Sequence, residues 1–364
     1  MASDREEAAR TFLKSAGWGD ATVTPLPGDA STRRYFRMAL GSRKAMLMDQ
    51  PQHAETPTAH TNATPEERRA LGYNAIARLA GADTARFVAA AQFLRAQGLS
   101  APDIYAADPK QGFVLIEDLG DALYADVLGD GGGDAHELYG AAIDALARLH
   151  REDAPALLPP DKPLHAYDET ALIAETDLMT EWFVPLALGR AMSPDESEEH
   201  RVRWREVLGA LGAASPVFVH RDYHAQNLLW LPQREGLARV GLIDFQDAVA
   251  GTKSYDLISL IEDARRDVPP ELADAMTRRY IAAAGVDAAR HRAEMAVMAA
   301  QRNAKIAGIF ARLHKRDGKP RYLDYLPRVW GYLNRDLEHP ALAPLKAWYD
   351  RTIPMEARGR PRVG

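Results

Sequence analysis

The chain has 364 residues, of which 46% are hydrophobic and 26% charged, a balance typical of a globular protein large enough for two domains with separate cores. Its formal net charge of -6, without a long basic run, argues against nucleic acid or a membrane surface as the main partner. Cysteine is absent, which excludes disulfides and thiolate catalysis. The charged N-terminus and the lack of a membrane-length apolar run predict a cytoplasmic protein.

The first third of the chain predicts a short opening helix, Glu6–Ala16, and then a series of strands. Short apolar runs predict the strands Thr22–Leu26, Tyr35–Met38, Ala45–Met48, Ile104–Ala106 and Phe113–Ile116. Between the first two strands lies the loop PGDASTRR, in which Ser31 and Thr32 offer hydroxyl groups and backbone donors to a phosphate. By itself, this loop could equally be a plain hairpin turn.

A polar, proline-containing stretch, Pro51–Pro65, follows the third strand. Good helix formers then predict helices over Glu66–Ala80 and Ala85–Ala96. The first of these helices and the polar stretch before it could form a lid or could be decoration.

The remainder of the chain is mainly helical in pattern. Helical spacing of apolar residues marks Glu137–His150, Leu172–Leu188, Leu272–Ala284 and Ala293–Leu313. The second of these segments mixes carboxylates with aromatic rings, so Glu175, Glu181 and Trp182 could roof a pocket for an acceptor molecule. Such a helix is more often simply half-buried.

Three oxygen-bearing side chains lie at the ends of predicted strands in PVFVHRDYHAQNLLWLPQREGLARVGLIDFQDAVAG, residues 216–251. Asp222 follows one apolar run, Asn227 precedes the next, and Asp244 follows a third, so the three can converge. Phosphoryl transfer from ATP needs a carboxylate that orients the acceptor hydroxyl and oxygen ligands that hold Mg²⁺. Asp222 suits the first role, and Asn227 and Asp244 suit the second. The alternative is that these are chance turn or capping residues.

The pair HRDYHAQN and IDFQD resembles the catalytic and metal loops of the protein-kinase-like fold, in its branch of aminoglycoside and choline phosphotransferases. The resemblance implies an α+β, two-lobe fold with ATP and Mg²⁺ as cofactors. Residues 1–117 would form the small nucleotide-binding lobe with an antiparallel sheet and an insertion at about 52–83. Residues 118–364 would form a large, mostly helical lobe carrying the catalytic and metal loops.

Further roles follow from the same resemblance. The third strand of this fold usually carries a lysine that contacts phosphate, but Met48 stands there, so Arg33, Arg34 or Lys44 would replace it. Glu117 and Leu119 would belong to a hinge whose backbone pairs with adenine. The residues expected to support the catalytic loop are His220, His224 and Asp256.

At a finer level, five segments resemble the bacterial anomeric N-acetylmuramate/N-acetylglucosamine kinases. They are LPGDASTRRYFRM, AMLMDQP, GFVLIEDLG, HRDYHAQNLLW and IDFQDAVAGTKSYDLISL. The resemblance implies ATP-dependent phosphorylation of an amino sugar at its anomeric hydroxyl in peptidoglycan recycling, with the product passing to a uridylyltransferase. Tyr223 and Trp182 could stack on the sugar, and Glu175 and Glu181 could bind its hydroxyls.

Two alternatives remain open at this point. One is a phosphotransferase for an aminoglycoside or another small hydroxyl acceptor, and the other is a nucleotide-binding pseudokinase. The Gln52–Asp83 stretch also looks longer than in the amino-sugar kinases, so it could reshape the acceptor site.

Overall fold

The computed structural model describes residues 2–27, 33–51, 58–60, 62–79, 83–129, 133–212, 214–359 and 361. Ser31 and Thr32, the predicted phosphate-binding hydroxyls, lie outside the described residues. The chain groups into two compact units. The first comprises Met1–Leu149, Ala154–His165 and His220–Val249, and the second comprises His150–Asp153, Ala166–Val219 and Ala250–Gly364. The catalytic and metal loops fall in the first unit, and the lobe boundary between residues 117 and 118 stays a prediction.

The first unit contains a five-stranded antiparallel sheet in the order β1-β2-β3-β5-β4. Its strands are β1 Thr22–Pro25, β2 Arg34–Leu40, β3 Arg43–Asp49, β4 Ile104–Asp108 and β5 Phe113–Ile116. Helix α1, Ala2–Ser15, packs Phe12 and Leu13 with Trp18 against Met38 and Phe113. The same cluster buries Phe113 and Leu115, and Val114 and Ile116 of β5 are buried as well, so β5 is apolar at every position instead of alternating.

The sequence predicts one helix over Glu66–Ala80, but residues 65–79 form two separate helical pieces. Helix α2, Pro65–Leu71, begins with a capping box formed by Thr64 and Glu67. It ends at Gly72, whose φ of 96° is accessible to glycine and breaks the helix. A π-helical turn, Asn74–Arg78, follows.

In the described part of the chain, the rest of the first unit contains three helices and two small pairs of strands. Its helices are α3 Thr84–Ala96, α4 Tyr124–Gly129 and α5 Ala135–Leu149, and a small hairpin joins β6 Leu157–Leu158 to β7 Lys162–Pro163. The catalytic stretch carries β9 Leu228–Trp230 and β10 Val240–Leu242 in this unit, β8 Val217–Val219 in the second unit, and β11 Val249–Gly251 at the boundary between the two ranges. β9 pairs with β10, and β8 pairs with β11.

The second unit is built mainly from helices. They are α6 Glu169–Leu178, α7 Val184–Leu188, α8 Pro194–Gly209, α9 Tyr255–Ile261, α10 Pro270–Ala284, α11 Ala288–Asp317, α12 Leu326–Asp336 and α13 Ala343–Thr352. A π-helical turn, Met179–Phe183, joins α6 to α7. Gly308 of α11 allows close packing, because a Cβ there would lie 2.4 Å from the Leu178 carbonyl carbon.

The antiparallel sheet and the helical remainder confirm the predicted α+β class. Within the described ranges, no helix is long and apolar enough to cross a bilayer.

Candidate active site

Two predicted metal ligands meet at one end of the β9–β10 hairpin. The two strands are antiparallel with Leu228 opposite Leu242, so the residue before β9 and the residues after β10 lie at the same end. Asn227 is at the first of these positions, and Asp244 is at the second. The Ile243 N–H donates to the Asn227 carbonyl over 3.2 Å, which ties the two sides together.

Asp222 is joined to this end of the hairpin through its main chain. The Asn227 side-chain Nδ2 donates to the Asp222 carbonyl over 3.0 Å, and the His224 N–H donates to the same carbonyl over 3.0 Å. The first bond fixes the Asn227 amide and turns its Oδ1 away from the Asp222 carbonyl. The structure therefore brings Asp222, Asn227 and Asp244 together, as their sequence positions predicted.

Two non-glycine residues of these loops have left-handed backbone conformations. Arg221, next to Asp222, has φ of 75°, and Asp244 has φ of 62°. Such conformations cost about 1–3 kcal/mol each and persist where surrounding contacts enforce them, most often at functional sites. The strain falls on the two loops that carry the predicted catalytic and metal-binding carboxylates.

Arg33 supplies a positive charge beside the metal-loop carboxylate. Its side chain is 8% exposed, and its Nη1 lies 3.1 Å from Asp244 Oδ1. The same oxygen accepts a hydrogen bond from Gln246 Nε2 over 2.8 Å. Desolvation raises the pKa of Asp244, the Arg33 charge lowers it, and the nearby Asp222 carboxylate raises it again. An additional cation at this point would relieve the repulsion between the two carboxylates.

The donor atoms at this point fit Mg²⁺. Both bonds to Asp244 reach Oδ1, and Oδ2 is the oxygen that a cation would use together with Oδ1 of Asn227. Mg²⁺ prefers such hard oxygen ligands and usually takes only one or two from the protein, with water and phosphate completing its shell. No group of three or more His, Asp or Glu in the described part of the chain could form a self-contained metal site. Two protein ligands, Asn227 and Asp244, would suit a cation that arrives with a nucleotide.

The lysine position of the fold is apolar in this chain. Met48 is 1% exposed, and it lies opposite Tyr35, whose hydroxyl is 3.5 Å from its Sδ. A thioether cannot neutralise phosphate charge. Arg33, two residues before Tyr35, is the predicted replacement that lies next to Asp244.

The other two predicted replacements have different surroundings. Arg34 Nη2 lies 2.5 Å from Asp49 Oδ2, and Asp49 also accepts a hydrogen bond from Arg5 Nε over 2.9 Å. Successive side chains along extended backbone point to opposite sides, which separates Arg34 from Arg33. Lys44 is exposed on β3.

The predicted hinge directly follows β5. The Glu117 N–H donates to the Asp103 carbonyl over 2.8 Å, and its carboxylate pairs with Arg234 at 2.5 Å. The pairing of the hinge backbone with adenine stays a prediction. Leu119 is half-buried near Gly241.

Glu175, a predicted acceptor contact, is part of a buried network in the second unit. It is 1% exposed, and its carboxylate accepts hydrogen bonds from Lys305 Nζ over 3.2 Å and from Gln301 Nε2 over 3.0 Å. The Tyr167 hydroxyl donates to it as well. Protein donors therefore occupy this carboxylate, which gives it a structural role in place of the predicted one.

The three remaining acceptor candidates differ in exposure. Tyr223 is 1% exposed, and its hydroxyl donates to the Ala142 carbonyl over 2.7 Å, so its ring is a core element rather than the predicted stacking surface. Trp182 is half-buried against the core of the second unit, and Glu181 is exposed in the same π-helical turn. Only Glu181 and Trp182 keep the surface that acceptor binding needs, and that role stays a prediction.

The predicted supporting residues are all buried. His220 is 0% exposed and makes an edge contact with Tyr223 at 5.7 Å between ring centroids. His224 is buried in the same loop. Asp256, on α9 in the second unit, lies 3.8 Å from His150 Nε2.

Two residues just after Asp244, Gln246 and Asp247, were not among the predicted site residues. Gln246 bonds the Asp244 carboxylate, and Asp247 pairs with Arg78 at 3.3 Å. Both residues belong to the motif IDFQD, two and three positions after Asp244, so the motif itself could have indicated them.

The chain is similar to known proteins over most of its length. The sequence profile of the APH phosphotransferase enzyme family matches residues 22–297. The N-acetylmuramate/N-acetylglucosamine kinase of Caulobacter vibrioides is 46% identical over 362 residues, covering 98% of this chain and 99% of the relative.

Solved structures of the same fold are more distant in sequence. Choline kinase LicA from Streptococcus pneumoniae has a TM-score of 0.57 at 13% identity, covering 93% of this chain and 98% of that one. ADP-bound aminoglycoside phosphotransferase APH(2'')-Ib has a TM-score of 0.54 at 15% identity, covering 92% and 97%. These likenesses confirm the predicted protein-kinase-like fold. From its profile match and its full-length relative, the chain belongs to the APH phosphotransferase enzyme family and is a kinase.

Proposed function

We propose that this kinase transfers the γ-phosphoryl group of ATP to the anomeric hydroxyl of N-acetylmuramate or N-acetylglucosamine. The observation that carries the proposal is the meeting of Asp222, Asn227 and Asp244 at one end of the β9–β10 hairpin. The proposal takes the acceptor from the Caulobacter vibrioides relative, which is 46% identical over 362 residues.

Asp222 is the residue that orients the acceptor. Its main chain is fixed by Asn227 and His224, which sets the position from which the half-buried carboxylate extends. In the reaction, the anomeric oxygen forms a bond to the γ-phosphorus, the bond from that phosphorus to the β–γ bridging oxygen breaks, and ADP leaves. The anomeric proton passes to Asp222, and an anomeric hydroxyl is acidic enough for modest assistance to suffice.

Asn227 and Asp244 would hold the metal through Oδ1 and Oδ2, respectively. Mg²⁺, when bound with ATP, neutralises negative charge that develops on the phosphates. Arg33 lies beside Asp244 and brings a fixed guanidinium to the same region, the role that Met48 cannot fill. The Glu117 carbonyl and the Leu119 amide would pair with adenine.

The acceptor contacts and the fate of the product complete the proposal. Trp182 offers a ring face and Glu181 a carboxylate for sugar hydroxyls. The proposed product, a sugar 1-phosphate, is the kind of molecule that a uridylyltransferase activates, and the proposal includes a role in cytoplasmic peptidoglycan recycling.

A panel assay tests this function. Purified protein is incubated with ATP, Mg²⁺ and one acceptor at a time: N-acetylmuramate, N-acetylglucosamine or an aminoglycoside. Phosphorus NMR should show an acid-labile sugar 1-phosphate with either amino sugar, and EDTA should abolish it.

The panel also separates the alternatives. Phosphorylation of the aminoglycoside alone would overturn the acceptor while leaving the kinase reaction intact. Binding of ATP without transfer to any acceptor would favour a pseudokinase.

A further inference from the structure

The helical residues 65–79, which follow β3, are joined to the catalytic loop by hydrogen bonds. Arg221 is 7% exposed, and its Nη1 and Nη2 donate to the main-chain carbonyls of Arg78 and Ala77 over 3.0 and 3.1 Å. These carbonyls end the π-helical turn, where helical backbone lacks its own donors and carries partial negative charge. Charged donors therefore meet a favourable acceptor position.

A second arginine completes the set of acceptors on this turn. Arg68 of α2 is 7% exposed, and it donates through Nε to the Ala75 carbonyl over 3.3 Å and through Nη2 to the Ile76 carbonyl over 2.5 Å. Together with the bonds from Arg221, four consecutive carbonyls, residues 75–78, accept from two guanidinium groups. The backbone of the turn is thus held in place by the side chains of Arg68 and Arg221.

The same turn also reaches the metal loop. Arg78 Nε lies 3.3 Å from Asp247 Oδ1, with 25% and 15% of the two side chains exposed. Asp247 is three residues after Asp244, in the loop that carries the metal-binding carboxylate. Neutralisation of Asp247 by Arg78 therefore lowers the excess negative charge around the metal-binding carboxylate.

Strained backbone lies on both sides of this contact. Leu79, directly after the turn, has φ of 70°, and Arg221 has φ of 75°. Leu79 is a branched residue for which this conformation is unusual, so surrounding contacts must enforce it. The bonds between Arg221 and the carbonyls of Ala77 and Arg78 join the two strained points directly.

We propose that residues 65–79 form a brace for the catalytic and metal loops, and that Arg78 is a positioning residue for phosphoryl transfer. The brace acts through Arg221 on the neighbouring Asp222 and through Asp247 on Asp244. This inference rests on the proposed kinase function, because it assigns the insertion to the geometry of that site. It gives residues 65–79 a fixed structural role, in place of the hypotheses that this part of the chain forms a lid or is decoration.

The kinetic test compares Arg78→Met with Arg69→Met, a matched control on α2 whose exposed pair with Glu66 has no contact to either loop among the described residues. Displacement of a catalytic group by about 1 Å costs up to about a hundredfold in rate. Arg78→Met should therefore lower kcat about tenfold or more with the KM for ATP nearly unchanged, and Arg78→Lys should restore part of the loss. Arg69→Met should match the wild type.

A double-mutant cycle with Asp247→Asn isolates the ion pair. If Arg78 acts through Asp247, the double variant should be no slower than the slower single variant. The brace is overturned if Arg78→Met has the same kcat as Arg69→Met. It is also overturned if Asp247→Asn acts only by changing the Mg²⁺ requirement, since Asp247 would then be a metal ligand.

Hydrogen exchange tests the brace without any turnover. Amides of residues 220–227 should exchange faster in Arg221→Met and Arg78→Met than in the wild type and in Arg69→Met, in the absence of substrates. Equal exchange in all four proteins would contradict the brace. If the wild type phosphorylates no sugar while the exchange difference is present, the proposed function fails and the brace stands.

Discussion

Two groups of acidic side chains in this protein have opposite environments. Asp222 and Asp244 are half-buried on loops that contain strained backbone, and Asp244 lies beside the guanidinium of Arg33. Glu175 and Asp336, in the second unit, are 1% and 7% exposed and are held by neighbouring donors. In the sequence, all four are carboxylates near helical or strand boundaries.

This difference helps to distinguish a carboxylate that takes part in the reaction from one that stabilises the fold. A structural carboxylate is buried and its oxygens are occupied by protein donors, because an unpaired buried charge is costly. A carboxylate that serves chemistry also has to be positioned by its backbone. The main chain of Asp222 is held in this way, since the bonds from Asn227 and His224 reach its carbonyl.

Removal of the carboxylate at Asp222 should have the largest effect on turnover. Proton transfer by a positioned side chain contributes about 10²–10⁴-fold to rate, and Asp222→Asn keeps the shape of the side chain without its basicity. We expect kcat to fall within this range with ATP affinity nearly retained, measured by coupled ADP release and by calorimetric titration. A variant that loses turnover only because ATP no longer binds would show a different role.

Replacement of Glu175 should instead lower stability. Removing one partner of a buried ion pair costs about 3–5 kcal/mol, because the other charge is left buried without its partner. Glu175→Ala leaves Lys305, which is 14% exposed, in that situation. Urea unfolding should show the loss, while kcat per folded molecule stays close to the wild type. A large fall in kcat at unchanged stability would return Glu175 to the acceptor site.

The sequence predicted that Asn227 and Asp244 converge at the hairpin end, and the structure explains why. Antiparallel pairing puts the residue before β9 beside the residues after β10, so strand order and motif spacing suffice to place Asn227 near Asp244. Sequence could not distinguish Glu175 from Glu181, which lie six positions apart in one helical segment. Burial there depends on packing against α11, which no local pattern encodes.

The π-helical turns were also beyond local patterns. The segment after β3 was predicted as one helix, but Gly72 ends α2 and the next turn is held by Arg68 and Arg221. Arg221 is more than a hundred residues distant in sequence. Its bonds to the turn are therefore a tertiary effect.

Loss of the guanidinium at Arg33 should have an intermediate effect. Hydrogen bonds to charged groups contribute about 1.5–3 kcal/mol, so Arg33→Met should lower kcat/KM for ATP about tenfold to a hundredfold. Lys44→Met is the matched control, since Lys44 is exposed on β3. Equal losses in the two variants would mean that Arg33 is not the cation that replaces the lysine of the fold.

The smallest effect concerns the pH dependence of stability. Asn303 Nδ2 donates to Glu262 over 2.8 Å and to Asp336 over 3.0 Å, which brings the two carboxyl groups together. Desolvation and then Glu262 raise the pKa of Asp336 well above its ordinary value of 3.8. The folded state thus holds a proton that the unfolded chain releases, so this contribution is present below pH 3.8 and is lost as pH rises through the folded pKa.

Asp336→Asn removes that titration. The free energy of unfolding of the variant, relative to the wild type, should rise as pH increases above the ordinary aspartate pKa and then level off. Urea unfolding from acid to neutral pH measures the difference. A constant difference across this range would show that Asp336 has the same pKa in the folded and unfolded states.

The most direct test of the contrast between the two groups is one paired experiment on Asp222→Asn and Glu175→Gln. Turnover of N-acetylmuramate and N-acetylglucosamine and urea unfolding are measured on the same preparations. We expect Asp222→Asn to lose turnover and keep the stability of the wild type, and Glu175→Gln to lose stability and keep its turnover per folded molecule. The reverse pattern, an active Asp222→Asn beside a stable but inactive Glu175→Gln, would contradict the assignment of the catalytic carboxylate.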